Sequence, residues 1–205
     1  MPNSCSVILV HGAGSGPWVF DAWTDTFGDS ELQPVDLQDG LRVEGASMAD
    51  YAEQVAEVVA RRQGRVYVCG WSMGGLVALM AATLVPPRAL AVIEPSPPAE
   101  VQGTHPEVRQ RSGTFDPEEV YGRFPGVRTR QESLLARLER KKGISVPKVP
   151  CPLLVVYGAQ FPEDRGRAIA TQYEADELSF PELNHGQLVS TQEVREAIRD
   201  WFSAV

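Results

Sequence analysis

The sequence predicts an α/β fold, a mostly parallel central sheet of about six strands with helices on both faces. Two observations carry that reading. Short apolar, β-branched runs alternate with helical patterns, as successive βαβ units do. Three of those runs, 6–10, 89–94 and 153–157, are apolar almost throughout, which is how strands buried on both faces read. The remaining strands are expected at about 34–37, 65–70 and 176–180.

The first helix follows from Ser47 and Asp50, spaced as a capping box, and from Met48, Tyr51, Ala52, Val55, Val58 and Val59 recurring at three and four residues. Asp50, Glu53, Glu57 and Arg61 form its wet face. Residues 73–85 are apolar all round, as in a helix buried against a sheet, and Pro86-Pro87 stops them. A last helix is expected to open on a Ser190/Glu193 capping box and to bury Val194, Ile198, Trp201 and Phe202. Between the fourth and fifth strands the alternation breaks: residues 96–150 are rich in Pro, Arg and Gly, with one helix expected around 129–142. A long insertion inside a compact domain reads as a functional lid or as a disordered segment. We therefore read 1–205 as one domain and 96–150 as its cap.

With 205 residues, 43% hydrophobic and 22% charged, the chain has an ordinary globular profile. Its net charge of −8 argues against a nucleic-acid or anionic-membrane partner. The charge is uneven, because residues 101–148 hold 10 Lys/Arg against 6 Asp/Glu. That segment presents a different surface, and its Arg128, Arg130, Arg137, Arg140, Lys141 and Lys142 suit either a solvated face or an anionic substrate. No apolar run approaches a membrane span and no basic segment precedes Val7–Val10, so the cytoplasm is the expected compartment. Cys5, Cys69 and Cys151 are too scattered for a redox motif and read as reduced thiols. Three dispersed histidines, with no H-x-x-x-H or C-x-x-C, supply no metal site, and no cofactor is expected.

Chemistry concentrates at three places. Gly70-Trp71-Ser72-Met73-Gly74 is a G-x-S-x-G between an apolar strand and an apolar helix. A serine on such a turn is pushed out of the backbone at a helix N-terminus, where partial positive charge favours an oxyanion. After the first strand, His11-Gly12-Ala13-Gly14-Ser15-Gly16 allows close backbone approach, and the N–H groups of Ala13 and Met73 are candidate oxyanion donors. A dinucleotide fingerprint, with Asp36 downstream, fails because Pro17 stands where its last glycine belongs. His185, in the loop after the last strand, is the histidine best placed to act as a base near neutral pH.

These three segments, in this order, resemble the α/β-hydrolase superfamily over nearly the whole chain apart from 96–150, where that family inserts a variable cap. The loop from His11 to Trp18 is similar to its small-esterase and hydroxynitrile-lyase branch. The resemblance implies a Ser-acid-His triad, with Ser72 as nucleophile and His185 as base, working through an acyl-enzyme. At the acid the sequence departs from the family: Phe161 stands where an aspartate usually follows Gly158. Glu94, ending the strand after the nucleophile helix, is the leading candidate, since some lipases of the superfamily carry their acid there. Asp164 and Glu163 are the alternatives, though Pro162-Glu163-Asp164-Arg165 also reads as the first turn of a helix. The expected function is cleavage of a small-molecule carboxylic ester. A cofactor-free C–C lyase, or a binding module that has lost activity, is the alternative.

Overall fold

The computed structural model describes residues 5–28, 30–123 and 128–205. Six parallel strands form the central sheet: β1 (Cys5–Val10), β2 (Glu31–Val35), β3 (Arg65–Trp71), β4 (Ala89–Ile93), β7 (Leu153–Gly158) and β8 (Asp176–Phe180), in the spatial order β2-β1-β3-β4-β7-β8. Two-residue strands β5 (Thr114–Phe115) and β6 (Glu132–Ser133) make an antiparallel ribbon within 96–150.

Strand periodicity sorts the core into two layers. On one face Ile8, Val10, Val66, Val68, Leu90, Val92, Leu153 and Val155 pack with helices α1 (Met48–Ala60) and α2 (Met73–Leu84). On the other, Val7, Leu9, Tyr67, Cys69, Ala91, Ile93, Leu154 and Val156 meet Phe20, Trp23 and Phe27 of the 3₁₀ region near Pro17–Trp23. The same layer takes in Leu188 and Val189 of α7 (His185–Ser190) and Val194, Ile198 and Phe202 of α8 (Gln192–Ala204). Burial on both faces is why β4 reads as an unbroken apolar run. The two edge strands are the polar ones, and edge position is also what lets β2 carry Pro34. That explains why β2 lies three residues before the expected start: Glu31 and Gln33 suit an edge but not a central strand.

Helix α1 forms as its pattern requires. Asp50 N–H donates to Ser47 Oγ at 3.1 Å and Ser47 N–H to Asp50 Oδ2 at 2.8 Å, while Met48, Tyr51, Ala52, Val55 and Val59 are buried. The last helix differs from expectation at its start. Ser190 closes α7 and donates back to the carbonyls of Gly186 and Gln187, so no Ser190/Glu193 box forms and Thr191 leads into α8. The capping box in this region belongs to Asn184 and Gln187, which start α7 one residue before His185. Trp201 is half-buried, its indole N–H donating to Asp176 Oδ2 at 2.7 Å.

Among the described residues of 96–150 lie three helices, α3 (Ala99–Gln102), α4 (Pro117–Tyr121) and α5 (Leu134–Lys142). The helix expected around 129–142 starts later, at Leu134, because Ser133 Oγ caps it through Ala136 N–H at 3.1 Å and the preceding residues pair as β6. Residues Glu163–Arg167 form a π-helical turn leading into α6 (Ala168–Tyr173). The three cysteines are unbridged, Cys69 buried and the other two half-buried. Among the described residues no helix is long and apolar enough to cross a membrane.

Because the Ser47 cap satisfies an otherwise orphaned helix N–H, Ser47→Ala is expected to lower stability by about 1 kcal/mol. Urea unfolding should show a lower midpoint with an unchanged slope.

Candidate active site

The parallel register brings the ends of β3, β4 and β7 side by side, with Trp71 opposite Ile93 and Ile93 opposite Val156. Ligands of open parallel sheets bind at these carboxyl ends. Ser72 follows β3 directly with φ 58° and ψ −121°, a conformation that non-glycine residues rarely adopt. Three backbone hydrogen bonds hold it there: its N–H donates to Ile93 O at 2.9 Å, and its carbonyl accepts from Ser96 N–H at 2.9 Å and Gly75 N–H at 3.0 Å. The flanking glycines are required by space, because a Cβ on Gly70 would lie 2.4 Å from Gly74 O and one on Gly74 would lie 2.3 Å from Val10 O. Met73 then opens α2, and as the first residue of the helix its N–H has no intrahelical acceptor.

Glu94 continues β4, also at positive φ (38°), and is fully buried. A carboxylate removed from water must be hydrogen-bonded. Glu94 Oε1 accepts Gly158 N–H from β7 at 2.8 Å, and Oε2 lies 2.6 Å from His185 Nδ1. Glu94 is thus the candidate acid that touches the imidazole. Glu163 is exposed and pairs with Arg167 on its own turn, and Asp164 is exposed as well.

The His185 ring is buried and positioned from several sides. The backbone N–H of His185 donates to Gln160 Oε1 at 2.9 Å, and its backbone carbonyl accepts the Trp71 indole N–H at 3.0 Å. The Trp71 ring lies 5.1 Å from the imidazole, and the Phe161 ring meets it edge-on at 5.7 Å. Phe161, at the position expected for an aspartate, therefore packs against the imidazole it cannot hydrogen-bond. Burial lowers the His185 pKa below its ordinary 6.5, outweighing the opposing pull of Glu94, and the nearby Arg165 charge lowers it further.

The His11–Gly16 loop approaches the elbow closely, since a Cβ on Gly12 would lie 3.1 Å from Ser72 Cβ and 2.9 Å from the Trp71 ring. Ala13, Ser72 and His185 all line one cavity of about 330 Å³, the small end of the range for ligand sites. Buried His11 is a structural part of this loop: its Nε2 accepts Leu37 N–H at 3.1 Å and its Nδ1 faces Gly12 O at 2.8 Å. Three residues whose part in the site was not legible in the sequence fasten the loop from the 96–150 side or from the sheet. Buried Glu132 takes Gly14 N–H at 2.8 Å, Ser133 N–H at 2.7 Å and the Tyr51 hydroxyl at 2.7 Å. Arg130 donates to Ser15 O at 3.0 Å and forks onto Asp36, and its N–H meets Gly14 O at 2.7 Å. Asp36, considered above only as a ribose ligand, is instead a clamp; His11 and Arg130 beside it hold its carboxyl far below the usual range. Among the described residues, no group of three or more His, Cys, Asp or Glu side chains could hold a metal ion.

A model of the alpha/beta hydrolase family matches residues 7–200. Among curated proteins, the chain is 33% identical over 93 residues, 44% of its length, to a pimeloyl-[acyl-carrier protein] methyl ester esterase of Nitrosomonas europaea. A protein of the same description from Aliivibrio salmonicida is 34% identical over 89 residues, 42% of this chain. These matches span only 36% and 34% of the relatives' own lengths. Among solved structures, a pyrethroid hydrolase of Sphingobium faniae superposes with a TM-score of 0.74 at 20% identity, covering 98% of both chains. A lipase-esterase related protein of Clostridium acetobutylicum does so with a TM-score of 0.70 at 15% identity, covering 97% of this chain and 94% of that one. With the matching family model spanning almost all of the sequence, the chain belongs to the alpha/beta hydrolase family.

Proposed function

We propose that the protein is a serine hydrolase that cleaves carboxylic esters through an acyl-enzyme, without a cofactor. Ser72 Oγ attacks the acyl carbon while His185 takes its proton, and Glu94 holds the imidazole with Nδ1–H toward the carboxylate. The N–H groups of Ala13 and Met73 receive the oxyanion as the tetrahedral intermediate forms. His185 returns the proton to the leaving alcohol, and water, activated by the same base, releases the acid and regenerates Ser72.

The observation that carries this reading is the 2.6 Å contact between His185 Nδ1 and a carboxylate that is itself fully buried, beside a serine held at positive φ on the same cavity. Burying a carboxylate this deeply is costly unless it is paired and hydrogen-bonded, and the carboxylate–imidazole pair that meets this need is also what an acyl-transfer base requires. The esterase descriptions of the two curated relatives support the ester as substrate class. The segment 96–150 supplies one wall of the cavity through Gln102, Pro117, Tyr121 and α5, which suits a cap that selects the substrate.

Ser72→Ala is expected to abolish hydrolysis of short p-nitrophenyl esters and labelling by a fluorophosphonate probe; full turnover in that variant would remove Ser72 from the reaction. Glu94→Gln should lower kcat on the order of 10⁴-fold, the scale of loss when a triad acid is neutralised, whereas Asp164→Asn should leave kcat within about twofold, as surface changes away from a site do. The opposite ranking would reassign the acid. Since burial depresses the His185 pKa, the neutral base survives to below pH 6.5, so the acid limb of kcat/KM should have its midpoint under that value. A midpoint above 7 would place another group in that role.

A further inference from the structure

The cavity that Ser72 lines also has a cationic lining. Arg137, Arg140 and Lys141 of α5 and Arg165 of the π-helical turn all line it, and no Asp or Glu is found among the described lining residues. In a chain of net charge −8 this concentration is not a property of the surface at large. Residues 137, 140 and 141 are three and four apart and so stack on one face of α5, where like charges repel. Such a face is usually turned to water; here it borders the cavity that holds the proposed nucleophile.

The donors of the two arginines are placed to receive something. Arg140 directs Nη1 toward Ser96 Oγ at 3.4 Å, and Ser96 N–H in turn binds the Ser72 carbonyl at 2.9 Å. Its Nε and Nη2, the two parallel N–H groups on one side of the guanidinium, are buried and make no hydrogen bond among the described residues. Arg137 Nε is likewise buried without an acceptor, while its guanidinium lies over the rings of Phe115 and Tyr121, centroids 5.3 and 5.8 Å away, which fixes its plane. A side-on pair of N–H donors matches the two oxygens of a carboxylate or phosphate and binds them bidentately. Although burial works to raise the Tyr121 pKa, the charge of Arg140, and hydrogen bonding and charge from Arg137, bring it below the ordinary phenol value, with hydrogen bonding from Arg140 adding to the effect.

Resting on the ester-hydrolase reading above, we propose that the substrate is an ester bearing an anionic acid group, a carboxylate or phosphate, held by the Arg140 side-on fork with Arg137 while its carbonyl lies at Ser72. The cavity of about 330 Å³ suits a short acyl chain with the two groups at its ends.

The test compares mono-p-nitrophenyl glutarate, its analogue with a terminal phosphonate, and neutral p-nitrophenyl pentanoate of the same chain length. The full chain should prefer the better anionic ester by at least about tenfold in kcat/KM, as a charge-assisted bidentate contact allows. In Arg140→Gln that ratio should fall toward one, chiefly through KM, with Arg140→Lys keeping part of it. Arg137→Gln is the second variant, should Arg140→Gln fail to fold. Calorimetric titration of the wild-type protein and of Ser72→Ala with glutarate and with inorganic phosphate reads the anion site without turnover, and the preferred ester and ion say which acid group it takes. Equal rates on the charged and neutral esters, or a preference that survives both arginine substitutions, would overturn the anion site and leave the hydrolase reading standing. Glutarate or phosphate binding that is lost in Arg140→Gln, with no ester hydrolysed, would keep the anion site and overturn the hydrolase reading.

Discussion

The site is organised around one buried charge. Glu94 has no access to solvent, so its carboxylate must be met by protein donors, and the two contacts that meet it come from different parts of the chain: the Gly158 N–H at the end of β7 and the His185 ring at the start of α7. Breaking either would leave an uncompensated charge in a low-dielectric interior, an error of several kcal/mol. That penalty ties the loop after β8 to the centre of the sheet, and the Trp71 indole bond to the His185 carbonyl ties it to β3 as well.

Two strained residues, Ser72 and Glu94, sit at neighbouring strand ends, and each conformation costs on the order of 1–3 kcal/mol. They persist because their backbones are over-determined: Ser72 N–H bonds Ile93 O, Glu94 N–H bonds Val156 O, and Ser96 N–H returns to the Ser72 carbonyl. The ladder hydrogen bonds of the sheet thus extend past the strands into the site, so the geometry of the elbow is inherited from strand order rather than from the elbow alone. The loop after β1 is held in a similar way from the other side, by buried Glu132 and by the Arg130–Asp36 pair. The segment 96–150 therefore both shapes the cavity and anchors the loop that carries Ala13.

Much of this was legible because its causes are local. The alternation of buried runs, the Ser47–Asp50 box and the glycines around Ser72 each follow from backbone sterics or period within a few residues. The errors have equally local reasons. An edge strand such as β2 is polar and admits proline, so periodicity alone sets it too late in the chain, and Ser190 suits the opening of a helix as well as the close it makes, since its hydroxyl can serve carbonyls behind it as well as N–H groups ahead. Glu132 and Arg130 went unread as parts of the site because their partners, Gly14, Tyr51 and Asp36, lie about a hundred residues away.

The sequence by itself determined the layers, the parallel sheet and the turn that presents Ser72, since hydrophobic period and glycine sterics act over short spans and leave little choice. Which carboxylate meets His185 was a matter of tertiary structure. Strand order sets β4 between β3 and β7, so a glutamate at its end can reach the imidazole, while Asp164 and Glu163 ride an exposed helical turn. The same holds for the charge of the cavity, because basic residues three and four apart can face water or a pocket, and only the packing of α5 against α1 and the residues around Val43–Gly45 set them along the cavity.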